Sequence, residues 1–444
     1  MDLPAAVTQR LGQLAPDQRA AATAPSGPVL CVAPAGSGKT TTLVARVAWL
    51  VATGVEPGAI TVLAFNRRAA EELAARLDAA LAPLAMAAGS VRVRTFHALG
   101  LEILREAGVP VRVVDRALLL RRLFRDHPPA ELARLDLAFA RLKLDHGVTE
   151  ADVAADLAAD PAPAPIAAAF LAYERALADA GALDFDDLVA RARALLQADP
   201  AVLAHWRARC VELLVDEAQD LDRSQLALAL LLAAPANRVF LVGDDDQTIY
   251  GWRLADVRRI LELGDVLPGL RRVDLTVNYR CPPVVVERAV RLVECNRERF
   301  VKRITAGPKA DGRLVLAADE SDEPERIRQL FLTWPADAST RAILARTNRE
   351  LLPAAVMALE AGIPFRAPGV RLPVEDRRLD PLLDAVGRLP ASWPLLVRVG
   401  RVRAALARGE LVLPALAGDA ADPLERPETD LDTLAPDAPL LPDP

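Results

Sequence analysis

The residues with the clearest chemical meaning form a glycine-rich segment at positions 33–40, Ala-Pro-Ala-Gly-Ser-Gly-Lys-Thr. Glycines in such a segment let backbone N–H groups converge on phosphate oxygens, and a following helix directs its positive end at the same anion. Lys39 is expected to contact the β- and γ-phosphates, and the Thr40 hydroxyl is expected to bind Mg²⁺. The segment therefore predicts a nucleotide site, with contacts from Ala35, Gly36, Ser37, Gly38, Lys39, Thr40 and Thr41.

Two adjacent acids, Asp216 and Glu217, follow the apolar run 211–215. At the end of a buried strand, Asp216 would hold Mg²⁺ through its water shell, and Glu217 would orient and deprotonate an attacking water. The alternative is a helix start, where acids are favoured by the helix dipole. Because the chain also has the glycine-rich segment, we favour a role in hydrolysis.

A third segment, residues 243–253, follows the next apolar run and reads Gly-Asp-Asp-Asp-Gln-Thr-Ile-Tyr-Gly-Trp-Arg. Gln247 is a candidate sensor of the γ-phosphate. Tyr250, Trp252 and Arg253 combine aromatic rings with a cation, which suits stacking on unpaired bases. The alternative is that these rings pack a loop onto the core.

The elements that would carry these residues follow from the hydrophobic pattern. Near the N-terminus apolar runs alternate with helical patterns, which predicts an α/β fold with a parallel sheet. From about residue 99 to 182 the apolar residues recur at helical spacing, which predicts a helical insertion. A helical pattern also extends from about 371 to 410. The predicted strands are residues 28–32, 60–65, 91–95, 211–215, 238–242, 314–316 and 341–345.

Composition excludes several classes of protein. With 444 residues, 52% of them hydrophobic, the chain is neither wholly disordered nor limited to one domain. The net charge of −6 and four scattered cysteines argue against a basic coat protein and a disulfide framework. No basic leader or long apolar run is present, so we expect a cytoplasmic protein without membrane contact. The chain has 50 arginines but only four lysines, so each lysine is informative.

In their order along residues 14–371, these segments resemble the motifs of UvrD/Rep/PcrA-type superfamily 1 DNA helicases. Gln18 matches the glutamine motif, whose side-chain amide fits the N6/N7 edge of adenine. Two further segments, 65–70 and 95–97, resemble DNA-contacting motifs. The predicted DNA contacts are Phe65, Asn66, Thr95, His97, Tyr250, Trp252 and Arg253.

The resemblance extends to two later segments. Residues 184–188, Asp-Phe-Asp-Asp-Leu, are similar to the junction where the helical insertion of the family returns to the core. Residues 278–280, Asn-Tyr-Arg, resemble the motif that opens the second RecA-like domain. By this resemblance Tyr279 would stack on adenine and Arg280 would reach the γ-phosphate as an arginine finger. The resulting catalytic set is Lys39, Glu217, Gln247 and Arg280.

The resemblance implies a RecA-like P-loop NTPase domain with a helical insertion and part of a second RecA-like domain. We expect these divisions: residues 1–98 and 190–277 for the first RecA-like domain, 99–189 for the insertion, 278–372 for the partial second domain, 373–417 for a helical remnant of a second insertion, and 418–444 for an acidic, proline-rich disordered tail.

The expected activity is ATP- and Mg²⁺-dependent translocation on single-stranded DNA, 3′ to 5′, in DNA repair or recombination. The later Gly-Leu-Glu-Phe-type and Arg-bearing segments of the family are not found, so we expect a poor motor alone and a polypeptide partner that supplies them. The alternatives are a non-translocating ATP- and DNA-binding regulatory module, a subunit of a split helicase, or a P-loop enzyme without a nucleic-acid role.

Overall fold

The computed structural model describes residues 3–147, 164–308, 311–316, 323–334, 340–367, 379–408 and 410–411. They divide into two units, one up to Val315 and the other from Leu316 onward. The predicted tail, residues 418–444, lies outside the described residues. In the described part of the chain, none of the helices combines the length and apolar content needed to cross a bilayer.

The first unit is built on a sheet of six parallel strands, which confirms the predicted α/β fold. The strands are β1 (Val29–Val32), β2 (Ile60–Ala64), β3 (Arg92–Thr95), β4 (Glu212–Val215), β5 (Val239–Gly243) and β6 (Arg271–Asp274). Their order across the sheet is β3-β2-β4-β5-β1-β6. The four inner strands are buried along their whole length, as expected for parallel strands covered on both faces.

Helices cover both faces of this sheet. On one face the core includes Val7, Leu43 and Leu73, and on the other it includes Leu99 and Leu228. The helices of the first unit are α1 (Ala5–Gly12), α2 (Pro16–Ala22), α3 (Lys39–Ala52), α4 (Arg67–Leu81), α5 (Phe96–Glu106), α6 (Arg116–Leu123), α7 (Pro129–Ala140), a π-helix (Arg141–His146), α8 (Ala164–Asp179), α9 (Phe185–Ala198), α10 (Pro200–Arg209), α11 (Arg223–Ala233), α12 (Arg258–Leu261), α13 (Leu263–Val266) and α14 (Pro283–Val293).

Within the helical insertion, Val113 and Leu183 form a parallel bridge. The N–H of Val114 donates to the carbonyl of Leu183 over 2.8 Å, so the outgoing and returning chains lie side by side. Directly after the bridge, Asp184 and Asp187 cap α9 reciprocally through their side chains and N–H groups. The junction predicted at residues 184–188 is therefore a helix start with a fixed geometry.

Beyond the main sheet, β7 (Val277–Asn278) and β8 (Thr305–Ala306) form a separate parallel pair. The second unit contains the helices α15 (Glu323–Thr333), α16 (Leu352–Glu360), α17 (Leu379–Gly387) and α18 (Leu395–Ala407). A small core around Ile327 and Phe331 joins α15 to α16.

Two strand predictions are wrong: residues 314–316 and 341–345 form no ladder with any described strand. Leu316 is 77% exposed and Leu344 is 91% exposed. Apolar residues favour a strand only where a neighbouring strand supplies hydrogen bonds and a covering layer removes the side chains from water.

Candidate nucleotide-binding site

The phosphate loop, residues 33–38, connects β1 to α3 at the carboxyl edge of the sheet. Gly36 and Gly38 have φ angles of 69° and 85°, in the left-handed region that favours glycine. A Cβ atom at Gly38 would lie 2.6 Å from Nε2 of Gln18, and one at Gly36 would collide with Asn278. Both glycines are therefore required by backbone conformation and by close packing.

Lys39, the first residue of α3, forms an ion pair with Glu217, with 3.0 Å between Nζ and Oε2. Glu217 follows β4 and has a φ of 49°, which is unusual for a residue with a side chain. Gln219 also donates from Nε2 to Oε2 of Glu217 over 3.0 Å. The strained backbone thus accompanies a carboxylate held at the phosphate loop, a pattern found at functional sites.

Asp216 is buried beside this pair, and its Oδ1 accepts a hydrogen bond from the N–H of Glu217 over 3.0 Å. The pKa of Asp216 is raised to about 6, chiefly by burial and also by the Glu217 charge, against the opposing charge of Lys39. Among the described residues, the Ser37 hydroxyl is buried at the phosphate loop without a hydrogen-bond partner. Hydroxyl and carboxylate oxygens here, from Thr40 and Asp216, are the donors that Mg²⁺ prefers.

Gln18 packs against the other side of the phosphate loop and is buried. Its Nε2 donates to the carbonyl of Ser37 over 2.7 Å, and its Oε1 accepts from the N–H of Ala15 over 3.0 Å. The amide that was predicted to read adenine is thus engaged with the protein itself. Its contact with adenine stays a prediction.

Residues 278–280 also reach the phosphate loop. The N–H of Tyr279 donates to the carbonyl of Gly36 over 2.9 Å. Oδ1 of Asn278 accepts from the N–H groups of Arg280 and Cys281, at 2.8 and 2.9 Å, which fixes the turn. The side chains of Tyr279 and Arg280 are exposed. The structure therefore brings this predicted motif next to the predicted nucleotide site.

Gln247 reaches the phosphate loop through Asp244, which sequence reasoning did not single out. Nε2 of Gln247 donates to Oδ2 of Asp244 over 2.6 Å, and the N–H of Ala35 donates to the same oxygen over 3.1 Å. The N–H of Asp244 in turn donates to Oε1 of Gln219 over 3.0 Å. One carboxylate thus joins the loop of the predicted γ-phosphate sensor to the phosphate loop.

Two of the predicted DNA contacts form an aromatic pair. The rings of Phe65 and Tyr250 have centroids 4.9 Å apart and planes inclined by 37°. Asn66 caps α4 by accepting from the N–H of Ala69. Thr95 caps α5 in the same manner, so both polar side chains have a structural role in this state.

His97 is separate from the aromatic pair. Its ring stacks on Phe185 with centroids 3.9 Å apart and planes inclined by 18°. Burial, together with the charge of Arg253 and against the opposing charge of Asp184, lowers the pKa of His97 to about 3. The histidine is therefore neutral near pH 7. The side chain of Trp252 lies outside the described residues, although its backbone is part of a single turn, Gly251–Arg253.

Two lysines with no predicted role are buried among carboxylates. Lys143 pairs with Glu174, Asp184 and Asp187. Lys302 pairs with Asp244, Asp245 and Asp246. The signal that could have found them is the rarity of lysine in a chain with 50 arginines.

The family follows from a match to the UvrD/REP helicase N-terminal domain over residues 14–268. This chain belongs to that family. Its α/β sheet with the phosphate loop at the carboxyl edge is consistent with the RecA-like fold of UvrD-type helicases.

Curated relatives agree with this assignment. The chain is 33% identical to DNA helicase II of Escherichia coli (strain K12) over 387 residues, which cover 82% of this chain and 52% of the relative. It is 31% identical to ATP-dependent DNA helicase UvrD1 of Mycobacterium tuberculosis (strain ATCC 25618 / H37Rv) over 408 residues, 82% of this chain and 51% of that protein. The chain is 30% identical to ATP-dependent DNA helicase Rep of E. coli (strain K12) over 376 residues, which cover 80% of this chain and 55% of that protein. The chain thus spans about half the length of the curated relatives it matches.

Proposed function

We propose that this UvrD-type chain is an ATP-dependent helicase or translocase that acts on single-stranded DNA. The observation that supports this most is the convergence of Lys39, Glu217 and Gln247 around the phosphate loop. A cation for the phosphates, a carboxylate for the attacking water and an amide for the γ-phosphate are the parts that nucleotide hydrolysis needs.

In this proposal Lys39 neutralises the β- and γ-phosphates of ATP, and Glu217 takes the proton of the attacking water. Thr40 and Asp216 hold Mg²⁺, which supplies positive charge to the phosphate oxygens. Arg280 adds charge on the γ-phosphate, and Tyr279 and Gln18 bind the adenine. Since Glu217 already contacts Lys39, bound phosphates would compete with that carboxylate for the lysine.

The DNA contact is proposed at the aromatic pair of Phe65 and Tyr250, extended by Trp252 and Arg253. Stacking on aromatic rings is tolerant of sequence, which suits a protein that moves along one strand. Asn66, Thr95 and His97 are proposed at the same interface. The 3′-to-5′ direction, a role in repair or recombination and a cytoplasmic location are part of the proposal.

The test is ATP turnover with and without single-stranded DNA, followed by a strand-displacement assay on the same preparation, with Lys39→Ala as the inactive control. DNA-stimulated turnover together with unwinding is the expected result. DNA-stimulated turnover without unwinding would favour the regulatory module or the split-helicase subunit. ATP turnover that does not change when single-stranded DNA is added would contradict a role on nucleic acid.

The proposed polypeptide partner is tested in the same assay. A polypeptide carrying the later Gly-Leu-Glu-Phe-type and Arg-bearing segments of the family is added to the chain. Higher DNA-stimulated turnover is expected, because a second positive group would then face the γ-phosphate. Turnover that does not change at saturating amounts of this polypeptide would contradict the proposed partner.

A further inference from the structure

The side chain of Lys302 is fully buried, although the chain on either side of it runs at the surface. Its Nζ lies 2.7 Å from Oδ1 of Asp244 and 2.9 Å from Oδ2 of Asp246, and it also contacts Asp245. A buried ammonium group is stable only when its three N–H donors are satisfied by nearby acceptors. Three consecutive aspartates supply one acceptor each.

The neighbours of Lys302 bind two of the same three aspartates. Arg299 forms a bidentate pair with Asp246, with both N–O distances at 2.9 Å. The N–H of Phe300 donates to Oδ2 of Asp245 over 2.8 Å. The segment 299–302, which follows α14, therefore fixes the loop 244–246 at every carboxylate.

Asp244 differs from the other two aspartates because its second oxygen faces the nucleotide site. Oδ1 accepts from Lys302 over 2.7 Å and, over 3.3 Å, from the N–H of Asp246, whereas Oδ2 accepts from Gln247 and from the N–H of Ala35 in the phosphate loop. A carboxylate is planar and rigid, so a rotation that releases one oxygen moves the other. Loss of the Lys302 contact would thus displace the acceptor that holds Gln247.

A continuous set of polar contacts connects Asp244 with Lys39, the lysine that is proposed to bind phosphate. It runs from Lys39 to Glu217, from Glu217 to Gln219, and from Gln219 to the N–H of Asp244, with each distance at 3.0 Å. This path of contacts places Lys39 and Asp244 in one connected network.

We infer that Lys302 is a positioning residue for nucleotide recognition, which sets the carboxylate of Asp244 and thereby holds Gln247 toward the γ-phosphate. This inference rests on the proposed function of the same site. Lys302 itself does not reach the phosphate loop through any described contact, so its effect on nucleotide must pass through Asp244.

The experiment compares the affinities for Mg²⁺·ATPγS and Mg²⁺·ADP by calorimetry, because their ratio reports recognition of the γ-phosphate and needs no turnover. The variants are Lys302→Met, Gln247→Ala and the double variant. Arg291→Met is the matched control, since Arg291 on α14 carries the same charge in an exposed pair with Glu287.

We expect Lys302→Met and Gln247→Ala each to lower the preference for ATPγS by roughly three- to thirtyfold. The double variant should lose no more than the larger single effect, because both changes remove the same contact. Arg291→Met should keep the wild-type ratio. A folded Lys302→Met protein with an unchanged ratio, or single effects that multiply in the double variant, would overturn the inference.

Two further variants separate positioning from folding. Lys302→Met/Asp245→Asn restores the local charge balance without restoring the bond to Asp244, so it should fold and still lose the preference. If it does not fold, Asp244→Asn replaces it, because that change weakens the attraction of Lys302 while keeping an acceptor oxygen. Recovery of the wild-type ratio in either variant contradicts the inference.

The proposed function fails separately if the wild-type chain binds neither nucleotide, and that outcome also overturns the inference. If Gln247→Ala abolishes the preference and Lys302→Met does not, only the role of Lys302 is lost.

Discussion

Two buried lysines occupy similar surroundings in different parts of the first unit. Lys143 lies in the π-helix of the helical insertion, 2.7 Å from Glu174 and 2.9 Å from both Asp184 and Asp187. Lys302 lies beside the loop 244–246 with three carboxylates of its own. Each ammonium group is therefore paired with three carboxylates of the protein, and the two sites differ in what those carboxylates contact next.

Around Lys143 the next contacts are structural. Asp184 and Asp187 cap α9, and Asp184 also accepts from the hydroxyl of Tyr173 over 2.8 Å. Arg116 pairs with Asp136 and Asp186 at the start of α6. This cluster joins the elements of the insertion to the helix that returns to the core. Substitutions in this cluster are therefore expected to change the stability of the fold.

Around Lys302 the next contacts lead to the phosphate loop, through Asp244 to Ala35 and Gln247. The comparison shows that the chemistry of a buried ion cluster does not reveal its role. The role depends on where the second oxygen of each carboxylate is directed.

Both sites also explain why lysine occurs there in a chain that otherwise uses arginine. A compact ammonium directs three donors at three separate carboxylates, whereas the donors of a planar guanidinium lie in one fixed fork, which either reaches two carboxylates, as in Arg116, or fits one carboxylate side by side. Arg299 shows the second geometry with Asp246 alone.

The largest effects are expected at the phosphate loop, to which the contacts of Lys302 lead. Lys39→Ala and Glu217→Gln should each lower ATP turnover by about 10²–10⁴-fold. Lys39→Ala should also weaken ATP binding, because it removes phosphate neutralisation, whereas Glu217→Gln should leave ATP bound. Both residues are partly exposed, so their ion pair should contribute at most about 1 kcal/mol to stability. Calorimetry and unfolding on the same samples check this. Equal losses of ATP affinity in the two variants would contradict these roles.

At the insertion side, Lys143→Met should lower the free energy of unfolding by about 3–5 kcal/mol, since it leaves carboxylates buried without their cation. The ratio of ATPγS to ADP affinity should stay at the wild-type value in the folded protein. Denaturant unfolding and calorimetry measure the two quantities.

Arg191→Met is the control for Lys143→Met. Arg191 lies 3.9 Å from Asp187 and is 47% exposed, so its loss should change stability by no more than about 0.5 kcal/mol. A Lys143→Met protein with altered nucleotide preference would remove the distinction between the two clusters.

A smaller effect tests whether His97 is buried against the helical insertion or accessible at the proposed DNA interface. Its folded pKa of about 3 lies below the ordinary value of about 6.5, so below pH 6.5 the unfolded chain binds a proton that the folded protein does not. Stability is therefore lost as the pH falls. Between pH 7 and pH 5 the wild type should lose up to about 2 kcal/mol more than His97→Gln does.

Urea unfolding at both pH values measures this difference, and His205→Gln, at an exposed histidine, should behave as the wild type does. Identical pH dependence in His97→Gln and the wild type would show that His97 is accessible to protons. Such a result would strengthen its proposed place at the DNA interface.

The sequence predicted β3 and the four strands that are buried on both faces; for the buried strands a continuous apolar run is visible without knowledge of the neighbours. It did not predict β6, whose residues are Arg-Arg-Val-Asp and whose two arginines are exposed. That strand forms because the edge of β1 offers a ladder, which the local sequence does not reveal. The wrong strand predictions at 314–316 and 341–345 have the opposite cause: the local sequence is apolar, but no described strand pairs with it.

The sequence by itself determined the parts that depend on local chemistry: the glycines of the phosphate loop, the lysine after it, and the acids that end β4. These follow from spacing, since each group needs only its own strand and turn to take position. The tertiary structure alone decided that Asp244 joins the phosphate loop to Gln247, that Gln18 bonds to Ser37, and that Lys302 lies under three aspartates. These contacts depend on residues that are far apart in the chain. The stability of a buried charge, and the groups that it positions, are set by the partners that folding brings to it.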